Sequence, residues 1–177
     1  MAKSPAKTYL SIPKVYSKSY MFMSNVTDEG FVIRVDRKVK PRYPYNCKAF
    51  DEHQEVGPES YRLDLLRLGL HNYQVEENRG SIQGLELFNE LRYGGPIDEC
   101  LSLLDGQEIV KLGIDNFRRF FGEKEIILWN GASRDCLDRD KNIRVPILSG
   151  NQSWVSIRWH DLYQELGVNQ YTALFPL

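Results

Sequence analysis

The stretch FVIRVDRKVK, Phe31–Lys40, constrains the fold more tightly than any other part of the chain. Phe31, Ile33, Val35, Arg37 and Val39 fall on one set of alternate positions; Val32, Arg34, Asp36, Lys38 and Lys40 fall on the other. Side chains alternate faces along a β-strand, so the pattern predicts a strand with one apolar face, interrupted by Arg37, and one charged face. The preceding residues extend this to a hairpin, with SYMFMSNV as its first strand and a turn at Thr27–Gly30. PRYPYNCKAF then leaves the strand as a Pro- and Tyr-rich loop.

The hydrophobic period changes in the middle of the chain. PESYRLDLLRLGLHNY places Leu63, Leu66 and Leu70 at helical spacing, weakened by Gly69, and predicts a helix. SIQGLELFNELRYGG repeats the spacing with Ile82, Leu85, Phe88 and Leu91, with Ser81 as N-cap and Gly94 as stop. Pro96 is expected to open a short helix carrying Ile97, Leu101 and Leu104 and closed by Gly106, and IDNFRRFF a further helical turn. The last third returns to strands in KEIILWNG, NIRVPIL and SWVSIRW, the latter two joined by a turn at SGN. A short helix DLYQEL and an edge strand YTALF complete the expectation.

These segments predict an α+β fold: a single domain over residues 1–177, with an antiparallel sheet from N- and C-terminal strands, a helical middle segment, and the helices on one side. Residues 1–19 read as a basic extended N-terminal arm, with four lysines, two prolines and no acid. A content of 42% hydrophobic and 27% charged residues argues against wholesale disorder. Cys47, Cys100 and Cys136 are far apart, odd in number and form no C-x-x-C pair, which argues against a disulfide framework or a structural zinc site. No apolar run reaches the roughly 18 residues of a membrane span, and the N-terminus lacks a signal-peptide core. The chain is therefore expected to be soluble, with no membrane partner, in the cytoplasm or another intracellular setting.

The net charge of −1 conceals a polarity. Residues 1–48 hold ten basic and three acidic side chains; the remainder holds thirteen basic and twenty-one acidic. Such asymmetry points to an anionic partner or a complementary neighbour. Lys14, Lys18, Arg34, Lys38, Lys40 and Arg42 are interleaved with Tyr43 and Tyr45, as well as Tyr16 and Tyr20. Cations neutralise phosphates and aromatic rings stack on unpaired bases, so this region is the candidate nucleic-acid surface. The alternatives are an acidic protein surface within a larger assembly, or docking of the basic stretch on the protein's own acids.

Two further patterns resemble metal chemistry. Asp138, Asp140 and Asn142 match the first ligands of a calcium loop, but Ile143 stands where that loop needs glycine and Ser149 where it needs glutamate. Four basic residues in and beside RDCLDRDKN, ending with Arg144, further weaken it as a cation trap, so it reads as a charged connector between strands. Asp36 and Lys38, with Asp28 upstream, form the acid and D-x-K arrangement of metal-dependent nucleases, in which carboxylates hold Mg²⁺ and the lysine supports the attacking water. The rival reading of D-x-K is an exposed strand face of alternating charge. A Cys136–His160 nucleophilic pair lacks an oxyanion-hole glycine turn. No P-loop, dinucleotide, hydrolase or zincin motif occurs. The sequence thus favours a non-catalytic binding protein, with no cofactor and no resident metal.

Overall fold

The computed structural model describes residues 31–44, 47–49, 55–70, 82–94, 96–135 and 142–176. In chain order the strands begin with β1 (Val32–Arg34), β2 (Cys47–Ala49), β3 (Ser60–Arg62), β4 (Arg67–Gly69) and β5 (Ile82–Gln83). Three helices follow: α1 (Gly84–Gly94), α2 (Leu103–Val110) and α3 (Gly113–Phe121). The chain ends with β6 (Glu125–Ile127), β7 (Ser133–Asp135), β8 (Ile143–Gly150), β9 (Val155–Asp161), β10 (Glu165–Leu166) and β11 (Gln170–Leu174). This is an α+β domain, and none of the described helices is long and apolar enough to cross a membrane.

The main sheet runs β2-β7-β8-β6-β11-β4, with β9 on the other edge of β8. Its pairs are antiparallel except β6 with β11, which run parallel in the register Tyr171 to Ile126. Pro146 explains how one edge of β8 serves two partners. The Pro146 carbonyl accepts from the Leu128 N–H at 2.9 Å, but proline has no N–H to return to the Leu128 carbonyl. That carbonyl instead accepts from the Gly131 N–H at 2.9 Å, closing a 3₁₀ turn over Trp129–Gly131. The ladder therefore passes from β6, opposite Ile147 and Leu148, to β7, opposite Ile143 and Arg144.

Both faces of the sheet are buried. Ile126, Leu128, Leu148 and Ala173 pack with Leu104 and Ile109 of α2, Phe117, Phe120 and Phe121 of α3, and Ile33 and Tyr61 of the β1–β3 pair. On the opposite face Ile127, Trp129, Val145, Ile147 and Leu174 pack with Leu87, Phe88 and Leu91 of α1. The helices thus lie on two sides of the sheet rather than one. The run IILW, with no alternation, is the sequence trace of a strand covered on both faces. The buried Trp129 indole keeps its polar atom satisfied by donating to Thr172 Oγ1 at 2.9 Å.

Several expected elements take another form. Residues 58–70 form β3, a 3₁₀ turn at Leu63–Leu65 and β4, not a helix, because β1 and β11 offer open edges to the two strands. Pro96 opens only the 3₁₀ turn Pro96–Glu99, and the true helix restarts at the Ser102 cap, with Gly106 inside it because a Cβ there would collide with Leu128. Residues 161–166 form a turn and β10, since the Asp161 carboxylate accepts from the Tyr163 N–H at 2.9 Å. β11 is interior, between β6 and β4, not an edge. α1 and α3 match expectation, although Ile82 belongs to β5 and Ser81 lies outside the described residues, as do the 1–19 arm and the first strand of the N-terminal hairpin.

Candidate functional site

The expected alternation holds from Phe31 to Val35: Ile33 and Val35 are buried, Val32 and Arg34 exposed. Beyond Val35 the chain turns. The Asp36 carboxylate accepts the Lys38 N–H at 3.0 Å and the Asp36 carbonyl accepts the Val39 N–H at 3.1 Å. Val39 is consequently exposed instead of continuing the apolar face. Asp36 and Lys38 sit on a turn, not side by side on a strand, which removes the premise of the D-x-K arrangement. Asp28 lies outside the described residues, and among the described ones no group of three or more His, Cys, Asp or Glu is placed to hold a metal.

Arg37 points inward and fastens this turn. Its guanidinium meets Asp105 through Nη2–Oδ1 at 2.8 Å and Nη1–Oδ2 at 3.0 Å, and donates to Ser102 Oγ at 3.0 Å and the Pro58 carbonyl at 2.9 Å. Its Cζ stands 5.9 Å from the Phe175 ring centre. Asp105 is fully buried, and the arginine side chain is 11% exposed, so this is a desolvated, two-pronged pair. The carboxylate also closes a capping box at the start of α2, accepting from Ser102 N–H at 2.8 Å and Ser102 Oγ at 2.6 Å. Ser102 is fully buried, so its hydroxyl is a cap rather than a nucleophile.

Glu55 completes the cluster. Its backbone is left-handed at φ 81°, and its Oε2 accepts the Leu104 N–H at 3.1 Å at the N-terminal end of α2. Burial raises its carboxyl above the ordinary range, and Asp105 adds to the rise against the opposing pull of Ser102, the Leu104 N–H and Arg37. Gly57 passes close beneath Arg37 and Phe175 at φ 148°, where a Cβ would come within 2.7 Å of the phenylalanine ring. Burial likewise raises the Tyr61 phenol, reinforced by neighbouring Asp105.

Of the expected nucleic-acid contacts, Arg34, Lys38, Lys40 and Arg42 are exposed on this segment. Tyr43 is half-buried, its ring 5.9 Å from Trp159, and burial with Glu55 nearby raises its phenol, so it is packed rather than presented for stacking. Lys14, Lys18 and Tyr45 lie outside the described residues. Sequence reading passed over Lys48 and Arg134, both exposed and directly opposite across β2 and β7. Arg134 belongs to the connector RDCLDRDKN, of which residues 136–141 are outside the described set. His160, in β9, is depressed chiefly by burial and then by Arg158, while Cys136 is outside the described residues.

No protein-family model matches this chain, and searches of the curated proteins and of the solved structures find no significant match.

Proposed function

We propose that the protein binds nucleic acid without acting on it chemically, through the outward side chains of Arg34, Lys38, Lys40 and Arg42. The observation that carries this reading is the mounting of the basic turn. Arg37, the one cation of the segment directed inward, is neutralised by Asp105, while its neighbours Lys38, Lys40 and Arg42 are exposed. Anchoring the backbone of this segment from beneath lowers the ordering cost of binding a phosphate chain.

A second reading is an acidic protein surface in an assembly. Val32 and Val39, exposed among these cations, favour it, because apolar contacts add affinity to a protein interface and little to a phosphate backbone.

Fluorescence anisotropy with labelled single-stranded and duplex oligonucleotides over a salt series separates the two. Binding should weaken steeply with salt, and a Lys38→Ala, Lys40→Ala, Arg42→Ala triple variant should flatten the log–log slope by roughly 2–3. Absence of oligonucleotide binding at low salt would rule the first reading out.

A further inference from the structure

The turn joining β8 to β9 is closed by hydrogen bonds that fix the backbone of Trp154. The Asn151 N–H donates to the Trp154 carbonyl at 3.0 Å, and Asn151 Oδ1 accepts from the N–H groups of Ser153 at 2.9 Å and Trp154 at 2.8 Å. α3 reaches this end of the sheet because Gly150 leaves room for it: a Cβ there would stand 2.8 Å from Phe117 Cδ1 and 2.9 Å from Ile114 Cδ1. From α3, Arg118 Nη2 donates to the Asn151 carbonyl at 2.9 Å. The turn is thus tied to itself by three bonds and to a cation-bearing helix by a fourth.

Trp154 on this turn is 61% exposed. The other two tryptophans differ: Trp129 is fully buried, and Trp159 has Tyr43 beside it. Exposing an indole forgoes one of the larger hydrophobic gains available to a side chain. The next residue of α3, Arg119, is exposed over the Phe120 ring at 5.8 Å, and Phe120 meets Phe31 edge-on at 5.5 Å. Phe31 leads directly into β1, so this end of α3 adjoins the strand carrying Arg34. The acid facing Arg118 is Glu123, at 4.0 Å and itself largely exposed.

We infer that Trp154, on the turn to which Arg118 is bonded, is a base-stacking contact for a single strand of nucleic acid, extending the basic face past α3. The inference rests on the binding proposed above and adds an unpaired-base preference to it. Aromatic stacking tolerates any base but needs one whose face is open, and the adjoining guanidinium neutralises phosphate. Tyr43, which is packed, leaves that role to Trp154.

The test compares wild type, Trp154→Ala and Trp154→Phe for binding of labelled oligothymidylate and of a duplex. Trp154→Ala should weaken oligothymidylate binding about 5- to 100-fold, Trp154→Phe should recover most of that, and duplex binding should not change. The salt slope should stay that of wild type, because no cation is lost. Oligothymidylate binding by Trp154→Ala equal to wild type overturns the contact and leaves the proposed function standing. No binding of either oligonucleotide by wild type overturns both. If sedimentation shows that Trp154→Ala dissociates a wild-type dimer while oligonucleotide binding is untouched, the indole serves a second copy of the chain, and the stacking assignment is overturned.

Discussion

Replacing Arg37 by alanine strips the guanidinium from a carboxylate that has no access to water. Breaking a buried ion pair from one side costs about 3–5 kcal/mol, because the remaining charge stays desolvated. Asp105 would keep the Ser102 N–H and hydroxyl, at 2.8 Å and 2.6 Å, which sets the expectation at the lower end, about 3 kcal/mol. Pro58 loses a donor too, but at an exposed position where water replaces it. For a chain of 177 residues about 3 kcal/mol lowers Tm by roughly 6–12 °C. Urea denaturation measures the loss directly. Trypsin supplies a local readout, since Lys38 stands on the turn that Arg37 fastens and Arg42 follows shortly after it, and cleavage at these two residues should quicken beyond what the global loss accounts for. A loss below about 1 kcal/mol, the value of an exposed pair, would refute the reasoning by showing that Asp105 finds water or neutralises itself without its partner.

Glu55→Gln keeps an acceptor for the Leu104 N–H while removing a carboxyl that burial holds above its ordinary range. A raised folded value means the native state binds the proton more tightly, so this stabilisation is full at acid pH and is lost as pH rises through the folded value. Wild type should therefore lose stability relative to Glu55→Gln as pH increases from about 4, measured by urea midpoints; parallel curves would contradict the assignment. Gly131→Ala places a Cβ 2.7 Å from the Leu103 backbone nitrogen and 3.0 Å from Pro146 Cγ, where α2 begins and β8 changes partner. The overpacking should cost about 1–3 kcal/mol, read as a fall in Tm, and an unchanged Tm would mean that the start of α2 shifts freely.

How far the fold was legible follows from what each segment depends on. The β8–β9 hairpin, α1 and α3 carry their own signals: β-rich runs around an SGN turn in the first, and Leu or Phe at helical spacing in the helices. Residues 58–70 do not. Leu63, Leu66 and Leu70 suit a helix by spacing, yet Tyr61 and Leu68 pair with strands from distant parts of the chain, and a partner edge is invisible in a local window. The parallel pairing of β6 with β11 is likewise a product of the whole topology, joining segments with more than forty residues between them.

The site shows the same division, and Arg37 marks where it falls. A cation on the apolar face of FVIRVDRKVK was the one discord in an otherwise regular alternation, and a buried cation requires a buried anion. The sequence therefore implied a partner without naming it. Asp105 lay within S-L-L-D, a helix-start signature, but an assumed helix running on from Pro96 obscured that start. Once the pair is placed, the neighbouring charges acquire different meanings. Arg37 is committed to the interior and cannot also bind a phosphate, whereas Arg34, Lys38, Lys40 and Arg42 face outward on a support that Arg37 holds. Arg37→Ala and the triple variant should consequently separate: the first loosens the display with all four outward charges retained, the second removes charges and leaves the clasp. Weaker oligonucleotide binding at an unchanged salt slope in Arg37→Ala, against a flattened slope in the triple variant, distinguishes support from contact.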